Sequence, residues 1–310
     1  MNLHPAPRIH GIVPPVPTPL RADGTVDAAA FQRIAGHLQQ GGADAAFVLG
    51  STGELASLSH AGRRQAIHAA ADAFRGRLPW LVGIGDSCLT ESVELAETAA
   101  AAGATALVLN APSYYEISGA EMRTVLDLLL PRLPLPVMLY NMPWLTGHSF
   151  DDATLRHALT FPGLIGFKDS SGDPAYFANL VRIAAARPEL TVLIGNDFLV
   201  LEALKAGGHG AVAGGANLYP ALFRELLDAF NRGDQQAAAA AQARISRLGK
   251  AIFSLTGQPA SVFATIKAGL AALGLCEPAM LPPLTACLPE EVAALRLTLA
   301  EVSRPVTAVA

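Results

Sequence analysis

Eight short apolar runs recur along the chain, and their spacing constrains the fold more than any other feature. They lie near residues 11–16, 45–49, 80–84, 106–109, 137–140, 164–168, 192–195 and 210–213. The intervals are roughly 30 residues, the length of one strand–helix unit. Amphipathic helical patterns fill several of the gaps. Residues 28–40 place Phe31, Ile34, Ala35 and Leu38 on one face, and residues 59–74 open with a serine suited to an N-cap. Residues 91–102 and 120–130 repeat the scheme, as do residues 174–186, where Pro174 suits a first helical turn. Eight alternating units predict an α/β fold, a (β/α)8 TIM barrel. An open doubly wound sheet is the competing arrangement, but no GxGxxG follows the first run and the count of eight favours closure. After the eighth run the chain continues too far for one closing helix. Helical patterns at 222–230, 235–255 and 261–273, punctuated by Pro259, Pro278, Pro282 and Pro283, predict a C-terminal helical appendage packed on the barrel. The expected division is a barrel over residues 1–225 and a helical extension over 226–310.

Composition narrows the function classes. The chain has 310 residues, 51% of them hydrophobic, enough for a large buried core. A net charge of −4 with no basic run argues against nucleic acid as a partner. No window approaches the roughly 20 uninterrupted apolar residues of a membrane span, and residues 1–11 lack the apolar core of a signal peptide. Cys88, Cys276 and Cys287 are odd in number and widely spaced, as expected of reduced thiols in a cytoplasmic protein. The eight histidines are scattered, so a metal site is a poor fit. A phosphate site is conceivable at the glycines near residue 210, but no lysine or arginine stands nearby to support it.

Barrel active sites form at the C-terminal ends of the strands, and those ends carry the chemistry here. The sixth run, Leu164 to Phe167, ends in Lys168, followed by Asp169 and two serines. Burying an ammonium is costly, and desolvation lowers a lysine's pKa until part of it is free amine near neutral pH. A free amine can attack a ketone and form a Schiff base. The competing reading is a strand-end lysine with its head in water, paired with Asp169. The second run ends in Gly50-Ser51-Thr52-Gly53-Glu54, where Ser51 and Thr52 with nearby backbone N–H groups could hold a small carboxylate, or simply cap the next helix. The fifth ends in Tyr140-Asn141-Met142-Pro143; its phenol could relay protons or sit as a rim tyrosine. The fourth leads to Ser113-Tyr114-Tyr115, the seventh to Gly195-Asn196-Asp197, and the eighth to the glycine-rich stretch around Val212.

In this order and spacing, four motifs resemble the class I, lysine-dependent aldolases that include dihydrodipicolinate synthase and N-acetylneuraminate lyase. They are Gly50-Ser51-Thr52-Gly53-Glu54, Tyr140-Asn141-Met142-Pro143, Gly166-Phe167-Lys168-Asp169 and the stretch from Gly210 to Asn217, and Pro17-Thr18-Pro19 also fits. The resemblance covers nearly the whole chain. It implies a pyruvate-type mechanism with no metal and no organic cofactor: Lys168 forms the Schiff base with a 2-oxo acid, Ser51 and Thr52 hold its carboxylate, Tyr140 shuttles protons, and the backbone near Val212 orients the bound acid. It also implies a homotetramer, a dimer of dimers, in which Tyr114 or Tyr115 enters the site of a neighbouring subunit.

The chain departs from the synthase pattern after Tyr140-Asn141-Met142-Pro143. Leu145 stands where dihydrodipicolinate synthases resemble each other in having an arginine, and leucine cannot clasp a second carboxylate. The Leu145-Thr146-Gly147 ending is more similar to the aldolases of 2-keto-3-deoxy sugar acids, with Asn196 and Asp197 placed to meet a sugar-acid chain. The expected activity is therefore a carbon–carbon lyase that cleaves or forms a 2-keto-3-deoxy sugar acid, or a similar 2-oxo acid, from pyruvate and an aldehyde. The alternatives are a dihydrodipicolinate synthase, a keto-deoxy acid dehydratase, a sialic-acid-type lyase, or a non-catalytic pyruvate binder.

Overall fold

The computed structural model describes residues 8–255 and 261–302. Pro259 and the two ends of the expected division, residues 1–7 and 303–310, lie outside the described residues. The apolar runs become strands because each is buried on both faces, which favours continuous rather than alternating hydrophobicity. Strand β1 (Gly11–Ile12) is followed by α1 (Ala28–Gln40), β2 (Ala46–Val48) by α2 (His60–Phe74), β3 (Trp80–Gly83) by α3 (Leu89–Ala101), and β4 (Ala106–Asn110) by α4 (Gly119–Leu129). Then come β5 (Val137–Asn141), α5 (Pro143–Thr146) and α6 (Asp152–Ala158). The series continues with β6 (Leu164–Asp169), α7 (Pro174–Ala184), β7 (Thr191–Ile194), α8 (Val200–Lys205), β8 (Gly210–Ala211) and α9 (Pro220–Asn231). Three further helices, α10 (Gln235–Ser254), α11 (Ser261–Ala272) and α12 (Pro289–Val302), follow.

The strands form one eight-stranded sheet in the order β1-β8-β7-β6-β5-β4-β3-β2, with every pairing parallel. Its two edges approach each other. Pro15 bridges Phe47 in parallel, Val16 N–H donates to Phe47 O (2.7 Å), and Phe47 N–H donates to Pro14 O (2.9 Å). Eight parallel strands with helices outside are consistent with a (β/α)8 barrel. An inner cluster including Val13, Phe47, Leu81, Val108, Met138, Tyr140, Leu193 and Val212 fills the centre. A larger cluster joins the outer strand faces to the helices.

Helix starts follow the expected chemistry. Ser59 Oγ accepts from Gly62 N–H (3.1 Å) at the head of α2, and Asp173 caps α7 with Pro174 in its first turn. The first strand is shorter than residues 11–16 suggest. Pro14, Pro15 and Pro17 lack an N–H, so the ladder there reduces to a single bridge and scattered bonds.

At the N-terminal end of the strands, Asp44 ties three elements together. Its carboxylate accepts from Ile12 N–H (2.7 Å) and pairs with Arg224 of α9, whose guanidinium also donates to Gly42 O (3.0 Å). Gly11, at φ +79°, leaves the space for it, since a Cβ there would collide with the Asp44 carboxylate. Asp44→Ala is expected to lower stability by about 2 kcal/mol, the usual worth of a charge-assisted bond, while leaving kcat and KM unchanged. Urea denaturation of the purified variant, alongside steady-state kinetics, checks both halves.

Candidate active site

Strand register sets the centre of the site. Tyr140 of β5 lies opposite Lys168 of β6, and Asn141 lies opposite Asp169. Side chains alternate across a strand, so Tyr140 and Lys168 face inward together while Asn141 and Asp169 face outward. The outward pair forms a closed network. Asp169 accepts from Asn141 Nδ2 (2.8 Å), Ser171 N–H (3.0 Å) and Ser171 Oγ (2.9 Å), and Asn141 Oδ1 accepts from Phe150 N–H (3.1 Å). Asp169 is thus engaged on the outer face and does not neutralise Lys168 directly.

Lys168 is 4% exposed. Its Nζ lies 3.7 Å from the Tyr140 ring centroid and 5.0 Å from that of Phe47. Burial lowers the amine from 10.5 to about 7, with the charge of Asp169 opposing the shift. A substantial fraction is therefore unprotonated, and nucleophilic, at neutral pH. Tyr140 is buried beside it, with the hydroxyls of Ser170 and Ser51 close to its phenol. Burial pushes the phenol up to about 12, the two hydroxyls opposing, so it keeps its proton at neutral pH. It can donate that proton or pass it on.

The turn after β2 carries Ser51 and Thr52. It folds tightly because Gly50 and Gly53 lack side chains: a Cβ on Gly50 would press into the Phe47 ring, and one on Gly53 would meet the Leu49 backbone. Thr18 Oγ donates to Gly53 O (2.6 Å), which explains why Pro17-Thr18-Pro19 belongs with this site. Gly195, at the end of β7, has a similar role opposite. A Cβ there would collide with Ser170 Oγ and come within 3.1 Å of Lys168 Cε. A cavity of about 520 Å³ opens over Ser51 and Tyr140, lined also by Asn110, Met142, Leu145 and Phe263 among others. Trp144 stacks on Phe263, with centroids 6.4 Å apart and rings 9° from parallel, and gives the mouth an apolar edge. Arg63 also borders the cavity, but it is spent on Asp86 and on the carbonyls of Leu55 (3.0 Å) and Leu58 (3.2 Å). Among the described residues no cluster of His, Cys, Asp or Glu is arranged to hold a metal ion.

The residues singled out by their motifs separate into two groups. Lys168, Tyr140 and Ser51 converge, with Thr52 buried next to Ser51 and Val212 packed in the inner cluster with Tyr140. The Val212 N–H is used by Ile194 O (2.7 Å). The others have contacts or exposure of their own. Asn196 turns back to accept from Phe198 N–H (2.9 Å). Asp197 is 1% exposed and accepts from Gly215 N–H (2.8 Å). Burial raises its carboxyl to about 6, against the N–H groups of Gly215 and Gly214. Asp197 thus serves the glycine-rich loop after β8, whose backbone N–H groups need an acceptor. Tyr114 and Tyr115 are 90% and 71% exposed, and Tyr114 holds φ +85°, a strained conformation for an aromatic residue. Ser170 and Gly195 carry no motif of their own. Ser170 could have been found by alternation, since it stands two residues past Lys168 on the same strand face.

Holding Lys168 here costs stability. Between about pH 7 and 10.5 the unfolded chain keeps a proton that the folded chain has lost, so stability rises with pH across that window and the full cost is felt below it. Lys168→Met is expected to raise the Tm by several degrees at pH 7, with the advantage shrinking towards pH 10.5. Calorimetry of the two proteins across this range measures it.

Comparison with known proteins agrees with the geometry. Residues 8–302 match the model of the dihydrodipicolinate synthetase family. The chain is 31% identical, over 91% of each sequence, to YjhH of Escherichia coli (strain K12), named a probable 2-dehydro-3-deoxy-D-pentonate aldolase. It superposes on the crystal structure of YagE from E. coli K12 in complex with pyruvate with a TM-score of 0.89, at 30% identity, covering 94% of this chain and 98% of that one. It superposes on the dihydrodipicolinate synthase of Bacteroides thetaiotaomicron with a TM-score of 0.90, at 36% identity, covering 97% and 100%. The chain belongs to the dihydrodipicolinate synthetase family.

Proposed function

We propose that this protein is a Schiff-base-forming lyase that cleaves a 2-keto-3-deoxy sugar acid, or a similar 2-oxo acid, to pyruvate and an aldehyde. The observation that carries the reading is a buried, partly deprotonated Lys168 beside a protonated Tyr140, at the mouth of a parallel barrel that we read as closed and extended by the helices after residue 225. YjhH supports the sugar-acid class, and YagE, crystallised with pyruvate, supports the common product. In this reading Ser51 and Thr52 bind the substrate carboxylate. The Lys168 amine adds to the keto carbon, and loss of water leaves an iminium. Tyr140, having given its proton to the departing carbinolamine hydroxyl, accepts the C4 hydroxyl proton as the C3–C4 bond breaks, and the electron pair flows into the iminium to give an enamine. The aldehyde leaves. The enamine is protonated at C3, and hydrolysis returns pyruvate and free Lys168. Neither a metal nor an organic cofactor has a step in this scheme. The cytoplasm is the compartment we assign, and no helix among the described residues is long and apolar enough to cross a membrane.

We assign the assembly as a homotetramer, with a tyrosine from a neighbouring copy completing the proton relay. Tyr114 is the better candidate of the two, because a bulky residue held at φ +85° and exposed needs a reason outside its own chain. Leu145 favours the sugar-acid reading over a synthase. It lines the cavity, and Arg63, the guanidinium beside it, is committed to Asp86, so a second carboxylate on the substrate meets no free cation among the described lining residues.

Pyruvate release from keto-deoxy sugar acids, 4-hydroxy-2-oxoglutarate and N-acetylneuraminate, coupled to lactate dehydrogenase, tests the activity. Release from a sugar acid is expected, with Lys168→Ala inactive yet folded; activity in Lys168→Ala overturns the mechanism. With Lys168 titrating near 7, the rate is expected to rise with pH through about 7 and then level off. Leu145→Arg is expected to shift preference towards acceptors bearing a second carboxylate, and an unchanged ratio of kcat/KM values contradicts the role given to Leu145.

A further inference from the structure

A second buried lysine, Lys267 of α11, takes no part in the chemistry above. Its side chain and that of Glu54 are both 0% exposed, and the two form an ion pair across 213 residues of sequence. Each partner has further bonds. Lys267 Nζ donates to Ala279 O (2.8 Å), and Glu54 Oε2 accepts from Leu281 N–H (2.8 Å). Glu54 closes the Gly50–Glu54 turn that carries Ser51 and Thr52. That turn is bounded by two non-glycine residues in left-handed conformation, Leu49 at φ +55° and Glu54 at φ +58°. Backbone of this kind persists only where its surroundings over-determine it. Thr18 grips the turn from the N-terminal side and Lys267 from the helical appendage.

A buried ion pair is often no more than structural, since its desolvation cost offsets much of its attraction. Here the position adds something else. The carboxylate belongs to the substrate-binding turn, Glu54 itself borders the cavity, and the cation comes from an element that also supplies Phe263 to the same cavity. We propose that Lys267 is a positioning residue: through Glu54 it holds the strained turn so that the Ser51 and Thr52 hydroxyls stay aimed at the carboxylate of the 2-oxo acid. The helical appendage is then a working part of the site. The inference rests on the assignment of Ser51 and Thr52 as carboxylate ligands.

Lys267→Met alone strands a buried carboxylate and can prevent folding, so the decisive variant is the double one, Glu54→Gln with Lys267→Met, which removes both charges. Two readouts are taken on the folded double variant. Amide hydrogen exchange is expected to speed up by about tenfold or more over residues 49–58 and to stay unchanged over residues 164–169. The kcat/KM for the 2-oxo acid is expected to fall by roughly 10²-fold, with KM carrying the larger part. A merely structural role lowers the active fraction, which reduces kcat and leaves KM alone; that pattern, or unchanged exchange over residues 49–58, overturns the proposal. If the parent protein is not labelled at Lys168 by pyruvate and borohydride, the Schiff-base reading fails instead, and the exchange data still decide whether Lys267 holds the turn.

Discussion

The structure depends on keeping one ammonium-forming side chain out of water. Lys168 packs against the rings of Tyr140 and Phe47, with its neighbouring carboxylate turned outward into the Asn141–Ser171 network. Were Asp169 to face inward, the attraction would hold the amine charged and useless as a nucleophile. Strand alternation prevents this, because consecutive residues of β6 must face opposite ways. Burial depresses the pKa, and register limits how far Asp169 opposes it. The same constraint places Tyr140 opposite Lys168, and Ser170 one alternation further along.

A parallel sheet also explains why residues far apart in sequence meet. Every strand ends on the same side, so Ser51, Tyr140, Lys168 and Gly195 gather although they come from four different units. The opposite end holds Asp44 and Arg224 and serves stability. The division between a chemical end and a clamping end lets loops vary around the mouth without disturbing the sheet. Trp144, Leu145 and Phe263, on helices at the chemical end, give this mouth an apolar edge.

Much of this was legible in the sequence, for a physical reason. Strands buried on both faces appear as short apolar runs, and a polar residue that ends such a run, as Lys168, Tyr140 and Ser51 do, stands out against it. The illegible parts follow from other forces. Prolines cut the first strand to two residues by removing donors, although the apolar run continues. Asp197 follows a strand end, and its bond to the glycine-rich loop joins positions 18 residues apart, which no local pattern shows. Helices α6 and α8 have only 7 and 6 residues, too short for a clear period, and α12 buries only Leu295, Leu299 and Val302. Lys267 was the missed signal: the one charged residue of the Ser261–Ala272 helix could only be solvated or paired, and its partner lay 213 residues away.

The central claim is that burial makes Lys168 a nucleophile near neutral pH. The most direct measurement is the pH dependence of covalent trapping by pyruvate and borohydride, with the adduct located by peptide mass spectrometry. The expected result is a single adduct, on Lys168, whose initial formation rate follows an apparent pKa of about 7. An adduct on another lysine, or trapping that rises only near the ordinary lysine value of 10.5, would contradict it.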